Sequence, residues 1–120
     1  NLELTNTSLA AAIATLTSGQ QPLVHSDQGF QYRHRSWRAL LANAEARQSM
    51  SRKGNCYDNA VMENFFGHLK SEMFHHHRFD TVQDFTTALD TYITWYNTER
   101  ISTTLKGLSP VQYRAQALAA

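Results

Sequence analysis

Two short runs separated by one amphipathic helix constrain this chain more than anything else in it. Pro22-Leu23-Val24-His25-Ser26 is a mainly apolar run that reads as a buried strand, ending at the turn residues Asp27-Gln28-Gly29. Trp37, Leu40, Leu41 and Ala44 then recur at helical spacing, which predicts a helix over about 35–44. Arg47 to Ser51 follows as a second, weaker strand. Strand, helix and strand of these lengths form a βαβ unit over about 21–51, which implies parallel pairing. Ligands of open α/β sheets collect beyond the carboxyl ends of the strands, so a carboxylate at Asp27 can point into a site.

The rest of the chain reads as helices. Asn6, Thr7 and Ser8 offer N-caps for Leu9, Ala12, Ile13 and Leu16, and Gly19 suits the position just past a helix end, predicting a helix over 7–18. Ser51 to Tyr57 is loop by composition. Asp58 is a cap candidate for a helix over about 58–73, with apolar Val61, Met62, Phe65, Phe66, Leu69 and Met73. Thr81 and Asp84 suggest a capped start to a helix over about 81–97, and Ser109-Pro110-Val111-Gln112 opens one over about 109–118. No linker or repeat divides the chain, so one domain, or a large piece of one, is expected. The chain starts at Asn1 without Met, in what reads as a helix entry; a fragment would begin this way.

Composition excludes several classes. A hydrophobic content of 42% argues against wholesale disorder, and no apolar run approaches the roughly 18 residues of a membrane span. One cysteine, Cys56, excludes an internal disulfide or a multi-cysteine zinc site. The net charge of +1 conceals a gradient: Lys and Arg are absent from the first 32 residues, whereas residues 31–53 hold Arg33, Arg35, Arg38, Arg47, Arg52 and Lys53 against Glu45 alone. Such a band can meet phosphates, although on charge alone a solvated face is the better reading.

Thirty-five residues lie between Asp27 and Glu63. The bland readings are a turn carboxylate for Asp27 and a solvent-facing helix residue for Glu63. Lys70, seven residues beyond Glu63, falls on the same helical face, as does Asn59, four residues before it. A carboxylate, an amide and a lysine opposite a stripe of Met, Phe and Leu suit a site for a divalent cation and a phosphate.

At this point a resemblance becomes specific. His25-Ser26-Asp27-Gln28-Gly29-Phe30-Gln31-Tyr32 resembles the HSDQGxQY motif of IS3-family insertion-sequence transposases. Gly54 to Glu72 resembles the family's GNCYDNAxxExFFGxLKxE block, and Tyr96 to Arg100 and Leu108 to Tyr113 resemble its YNxxR and LSPxxY elements. The order of the motifs and the 35-residue spacing match over nearly the whole chain. The resemblance implies an α/β, RNase H-like integrase core, mostly helical here and incomplete, lacking the first three strands. It implies that Asp27 and Glu63 are the second and third acidic metal ligands and that Lys70 is the accompanying base. It further implies two Mg²⁺ or Mn²⁺ ions, DNA of insertion-sequence ends and target as partner, and a cytoplasmic, nucleoid-associated bacterial setting. Arg33, Arg35, Arg52, Lys53, Asn55, Tyr57, Asn59 and Lys70 become candidate DNA contacts, and a homo-oligomer is possible.

The implied reaction is metal-dependent DNA cleavage and strand transfer, which hard carboxylate ligands suit. The first Asp of the pattern has no counterpart here, and Ser102 stands near YNxxR where many relatives carry His. Whether this chain alone is an enzyme therefore stays open; the rival is a non-catalytic remnant that binds DNA or self-associates. Other readings fall away. His25, Ser26 and Asp27 are adjacent on a strand and cannot form a hydrolase relay. His68, His75 and His77 lack a completing ligand, and no His is spaced to activate Cys56.

Overall fold

The computed structural model describes all 120 residues, in two compact units, 1–63 and 64–120. The first unit contains α1 (Leu2–Ile13), β1 (Leu23–Ser26), α2 (Phe30–Arg33), α3 (Arg35–Asn43) and β2 (Arg47–Met50). A 3₁₀ turn, Cys56–Asn59, then leads into α4 (Ala60–Glu72), within which the first unit ends.

β1 and β2 pair in parallel, with Leu23 opposite Arg47 and Ser26 opposite Met50. The crossover is made by α3, whose Trp37 and Leu41 are buried together with Leu9 of α1; Val24, Tyr32, Leu40 and Ala46 pack around them. The Trp37 ring meets Tyr32 edge-on at 4.9 Å. Burying a side chain such as Leu41 contributes about 2 kcal/mol, so three of them and their neighbours anchor α1 and α3 to the sheet.

Helix α1 runs over 2–13 rather than the expected 7–18, and the hydroxyl-bearing residues explain the shift. The Asn1 side chain accepts from Glu3 N at 2.9 Å and caps the helix early. Ser8 then donates back to Leu4 O at 2.9 Å and Thr5 to Leu2 O at 3.0 Å, so both sit inside the helix instead of starting it. Gly19 has φ +84, but in a turn six residues beyond Ile13, the helix end. The four-residue α2 was not expected, being too short to show a period. Gln48 of β2 ties it down, donating to Tyr32 O at 2.6 Å.

In the second unit α4 continues to Glu72 and is followed by a 3₁₀ turn at Phe74–His76, then α5 (Val82–Thr98), a 3₁₀ turn at Thr103–Leu105 and α6 (Pro110–Ala119). Thr81 caps α5 by accepting from Asp84 N. Ser109, fully buried, forms a complete capping box with Gln112 at the start of α6. The Glu72 carboxylate receives Arg100 through Nη2 at 2.6 Å and Nε at 2.9 Å, and the Tyr92 hydroxyl at 2.8 Å. Arg100 also lies over the Tyr96 ring, 5.3 Å from its centre. Phe74, Phe79 and Phe85 pack at stacked and edge-on angles beside an open apolar hollow. His77, considered above as a metal ligand, directs Nδ1 to Met73 O at 2.8 Å.

Candidate active site

Asp27 is the first residue past β1, at the carboxyl end of a parallel strand. Its Oδ1 accepts the Gly29 N–H at 2.7 Å, so one oxygen closes a tight turn while Oδ2 keeps no partner within the chain. A β-carbon at position 29 would lie 2.9 Å from that same Oδ1, closer than such atoms approach. A larger residue there would force the Asp27 carboxylate and the Gln31 side chain to shift, although the backbone φ of −53 is ordinary.

The residues on either side of Asp27 are fixed by Ser51, the residue that follows β2. Ser51 N donates to Ser26 O at 2.8 Å, adding one rung to the parallel ladder. Gln28 Nε2 donates to Ser51 O at 3.0 Å. Ser51 is only 5% exposed, and its Oγ receives Asn59 Nδ2 at 3.4 Å. Ser26 and Gln28 bracket Asp27, and Asn59 stands one helical turn before Glu63. The segments carrying the two carboxylates are thus stitched to one buried serine. By sequence Ser51 is only the end of a strand and the start of a loop; its two polar partners from opposite directions are not visible there.

The loop between Ser51 and α4 is closed by Arg52 and Asp58. Asp58 Oδ2 accepts Arg52 N at 2.7 Å and Nε at 3.1 Å, and Oδ1 accepts Nη2 at 2.9 Å. The Arg52 guanidinium, then its backbone N–H, hold the Asp58 carboxyl down to about 2. Asp58 was expected to cap the following helix; instead its carboxylate turns back to Arg52, and α4 begins two residues later at Ala60. Within the loop Gly54 takes φ +73, which favours glycine, and the Asn55 side chain accepts from Tyr57 N at 3.0 Å. Tyr57 is 83% exposed, and Lys53 and Cys56 are also exposed.

Glu63 lies in the first turn of α4, exposed and without an ion pair. Lys70 follows on the same helix, within about 20° of the same side, given 3.6 residues per turn. Asn59 does not belong to this ridge as expected: it ends the 3₁₀ turn, and its amide serves Ser51. Arg33 closes α2 and Arg35 opens α3, both exposed and outside any ion pair, whereas Arg52 is engaged by Asp58.

No three His, Cys, Asp or Glu side chains gather into a metal-binding group. The donor chemistry nevertheless fits Mg²⁺ or Mn²⁺. These ions take hard oxygens, and Mg²⁺ commonly uses one or two carboxylates while keeping several waters. Asp27 Oδ2 and the Glu63 carboxylate are unengaged donors of that type.

Comparison with known proteins gives the lineage. The integrase core domain family matches residues 63–118. The InsK protein of insertion sequence element IS150 in Escherichia coli is 49% identical over 108 residues, covering 90% of this chain and 38% of InsK. An uncharacterized transposase-like protein of Haemophilus influenzae is 46% identical over 118 residues, 98% of this chain and 54% of that protein. The transposase InsF for insertion sequence IS3fB of Escherichia coli is 41% identical over 98 residues, 81% of this chain and 34% of InsF. Over most of its length the chain is similar to IS150- and IS3-type insertion-sequence transposases, and its second half matches the integrase core. The chain spans about half the length, or less, of the relatives it matches. The family match begins at Glu63 itself, so Asp27 and its turn lie outside the matched stretch. None of its helices is long and apolar enough to cross a membrane.

Proposed function

We propose that this chain is the C-terminal part of a DDE-type transposase catalytic domain whose parent enzyme cuts and joins DNA in transposition. The observation that carries the reading is the double attachment to Ser51: the residues flanking Asp27 and the residue one turn before Glu63 bond to the same buried serine. Asp27 and Glu63 then act as the second and third acidic ligands. The first, together with three further strands of an RNase H-like sheet, comes from sequence outside residues 1–120. The share of the relatives' length that this chain spans supports that arrangement.

Mg²⁺ or Mn²⁺, a pair in the complete site, supplies Lewis-acid activation of the attacking oxygen and charge relief at the leaving one. The chain's own residues have separate tasks. Asp27 and Glu63 would hold the cation through carboxylate oxygens. The Gly29 N–H fixes the orientation of the Asp27 carboxylate. Lys70 steadies a phosphate near Glu63. Arg33, Arg35 and Lys53 attract the DNA backbone without reading sequence, an attraction that weakens as salt rises. Asn55, Tyr57 and Asn59 sit on or beside the exposed loop that would approach DNA.

The test is metal-dependent cleavage and joining of labelled terminal-repeat DNA by the chain alone and by the chain extended with its upstream genomic sequence. The expected result is activity only in the extended protein, abolished by Asp27→Asn or Glu63→Gln. Strand transfer by residues 1–120 alone would refute the partition of the triad. DNA binding without chemistry in both forms would favour a remnant that binds DNA or associates with itself.

A further inference from the structure

We propose that Asp58 is a positioning residue: by clasping Arg52 it closes the loop that leads into the Glu63 helix and keeps the Arg52 charge engaged within the protein rather than offered to DNA. The resemblance makes Arg52 a DNA contact and gives Asp58 no role; the geometry reverses the emphasis. Three donors of one residue converge on one carboxylate, two of them forming the paired fork that arginine and carboxylate make best. The clasp joins residues six apart, so it shuts a small ring. Inside that ring Asn55 N donates to Arg52 O at 3.1 Å, the Asn55 side chain accepts from Tyr57 N, and Gly54 provides the left-handed turn.

Everything past the ring follows from where it shuts. Asn59, adjacent to Asp58, reaches Ser51, and α4 starts at the next residue, with Glu63 in its first turn. Opening the clasp frees the segment that sets the entry of α4, and with it the position of Glu63 relative to the turn of Asp27. It also releases a guanidinium beside Lys53. A paired Arg52 adds little to phosphate attraction, whereas a freed one adds a full charge. Lysine cannot reproduce the clasp, because a single ammonium lacks the planar fork.

Two measurements on the 120-residue chain test the proposal, the second resting on the DNA-binding reading above. In the first, trypsin cleavage after Lys53, in the loop, is compared with cleavage after Arg38, inside α3. Asp58→Asn and Arg52→Lys should each speed cleavage after Lys53 by about tenfold and leave the Arg38 site unchanged, as for local opening. The exchange Arg52→Asp with Asp58→Arg should restore slow cleavage. An unchanged Lys53 rate, or equal acceleration at both sites, would overturn the clasp.

In the second, a short labelled duplex of arbitrary sequence is titrated at several salt concentrations. Asp58→Asn should tighten binding and steepen the salt dependence by about one unit, and adding Arg52→Gln should return both to the starting values. A purely structural role for Asp58 predicts no gain in affinity, and that result would overturn the charge-sequestering half. Absence of binding by every variant would count against the transposase reading and against sequestration, while cleavage after Lys53 would still decide the clasp.

Discussion

In residues 1–63 the buried side chains are chiefly apolar, Leu9, Trp37 and Leu41 meeting where α1, α3 and the sheet converge. In residues 64–120 the buried positions are Met73, Tyr92 and Ser109, and the most closely knit contact is ionic. Each unit also contains one forked arginine–carboxylate pair, and the two differ in setting. The Arg52 side chain is 75% exposed, whereas that of Arg100 is 18% exposed and covered by Tyr96. Water screens the first pair, so it can hold a loop without supporting a fold. The second is partly withdrawn from water and shared with the Tyr92 hydroxyl, so it ties the end of α4 to α5 and to the residues just after it. The same chemistry serves local order in one place and tertiary structure in the other.

Three substitutions probe that contrast, each read by amide exchange resolved along the chain. Leu41→Ala removes the most buried apolar side chain of the first unit and should cost about 3 kcal/mol there, with exchange in α5 and α6 unaffected. Loss of protection in both units would show that they do not stand independently. Glu72→Ala leaves the half-buried Arg100 and the buried Tyr92 hydroxyl without their acceptor, and should cost the second unit about 2 kcal/mol; a change within noise would reduce the clamp to a surface pair.

Tyr92→Phe should have a smaller effect at neutral pH, about 1.5 kcal/mol for one hydrogen bond to a charged group, and a distinctive one in alkali. Burial, then the hydrogen bond to Glu72, pushes the Tyr92 hydroxyl well above the usual tyrosine range. The unfolded chain therefore loses this proton first, above about pH 10, and the second unit should lose stability as pH rises beyond that point. Phenylalanine has no proton to lose, so the variant's alkaline melting curve should be flatter. An equally steep curve would mean that the hydroxyl is not held as the structure has it.

What could be read beforehand divides along physical lines. The parallel pairing of β1 and β2 and the Ser109-Pro110-Gln112 start of α6 were legible because each rests on residues close in sequence or on a clear period. The limits of α1 were not, since Thr5 and Ser8 can either cap a helix or bond back into it, and only the early Asn1 cap decides. Asp27 and Glu63 could be singled out as chemically suited. The partners that organise their surroundings could not, because Ser51 accepts from groups 23 and 8 residues away through its carbonyl and its hydroxyl. Asp58 misled for a related reason: a carboxylate before a helix normally caps it, unless an arginine six residues earlier claims it first. Glu72 and Arg100 each end a sequence motif, yet nothing in either motif pairs them across 28 residues.

The absence of a side chain at position 29 gives the Asp27 turn an unusual vulnerability. A single methyl group there would press on the carboxylate, and on the Gln31 side chain beside it, while leaving the aspartate itself in the sequence. Gly29→Ala thus separates where an acid points from whether it is an acid, a distinction that replacing the aspartate itself can never make.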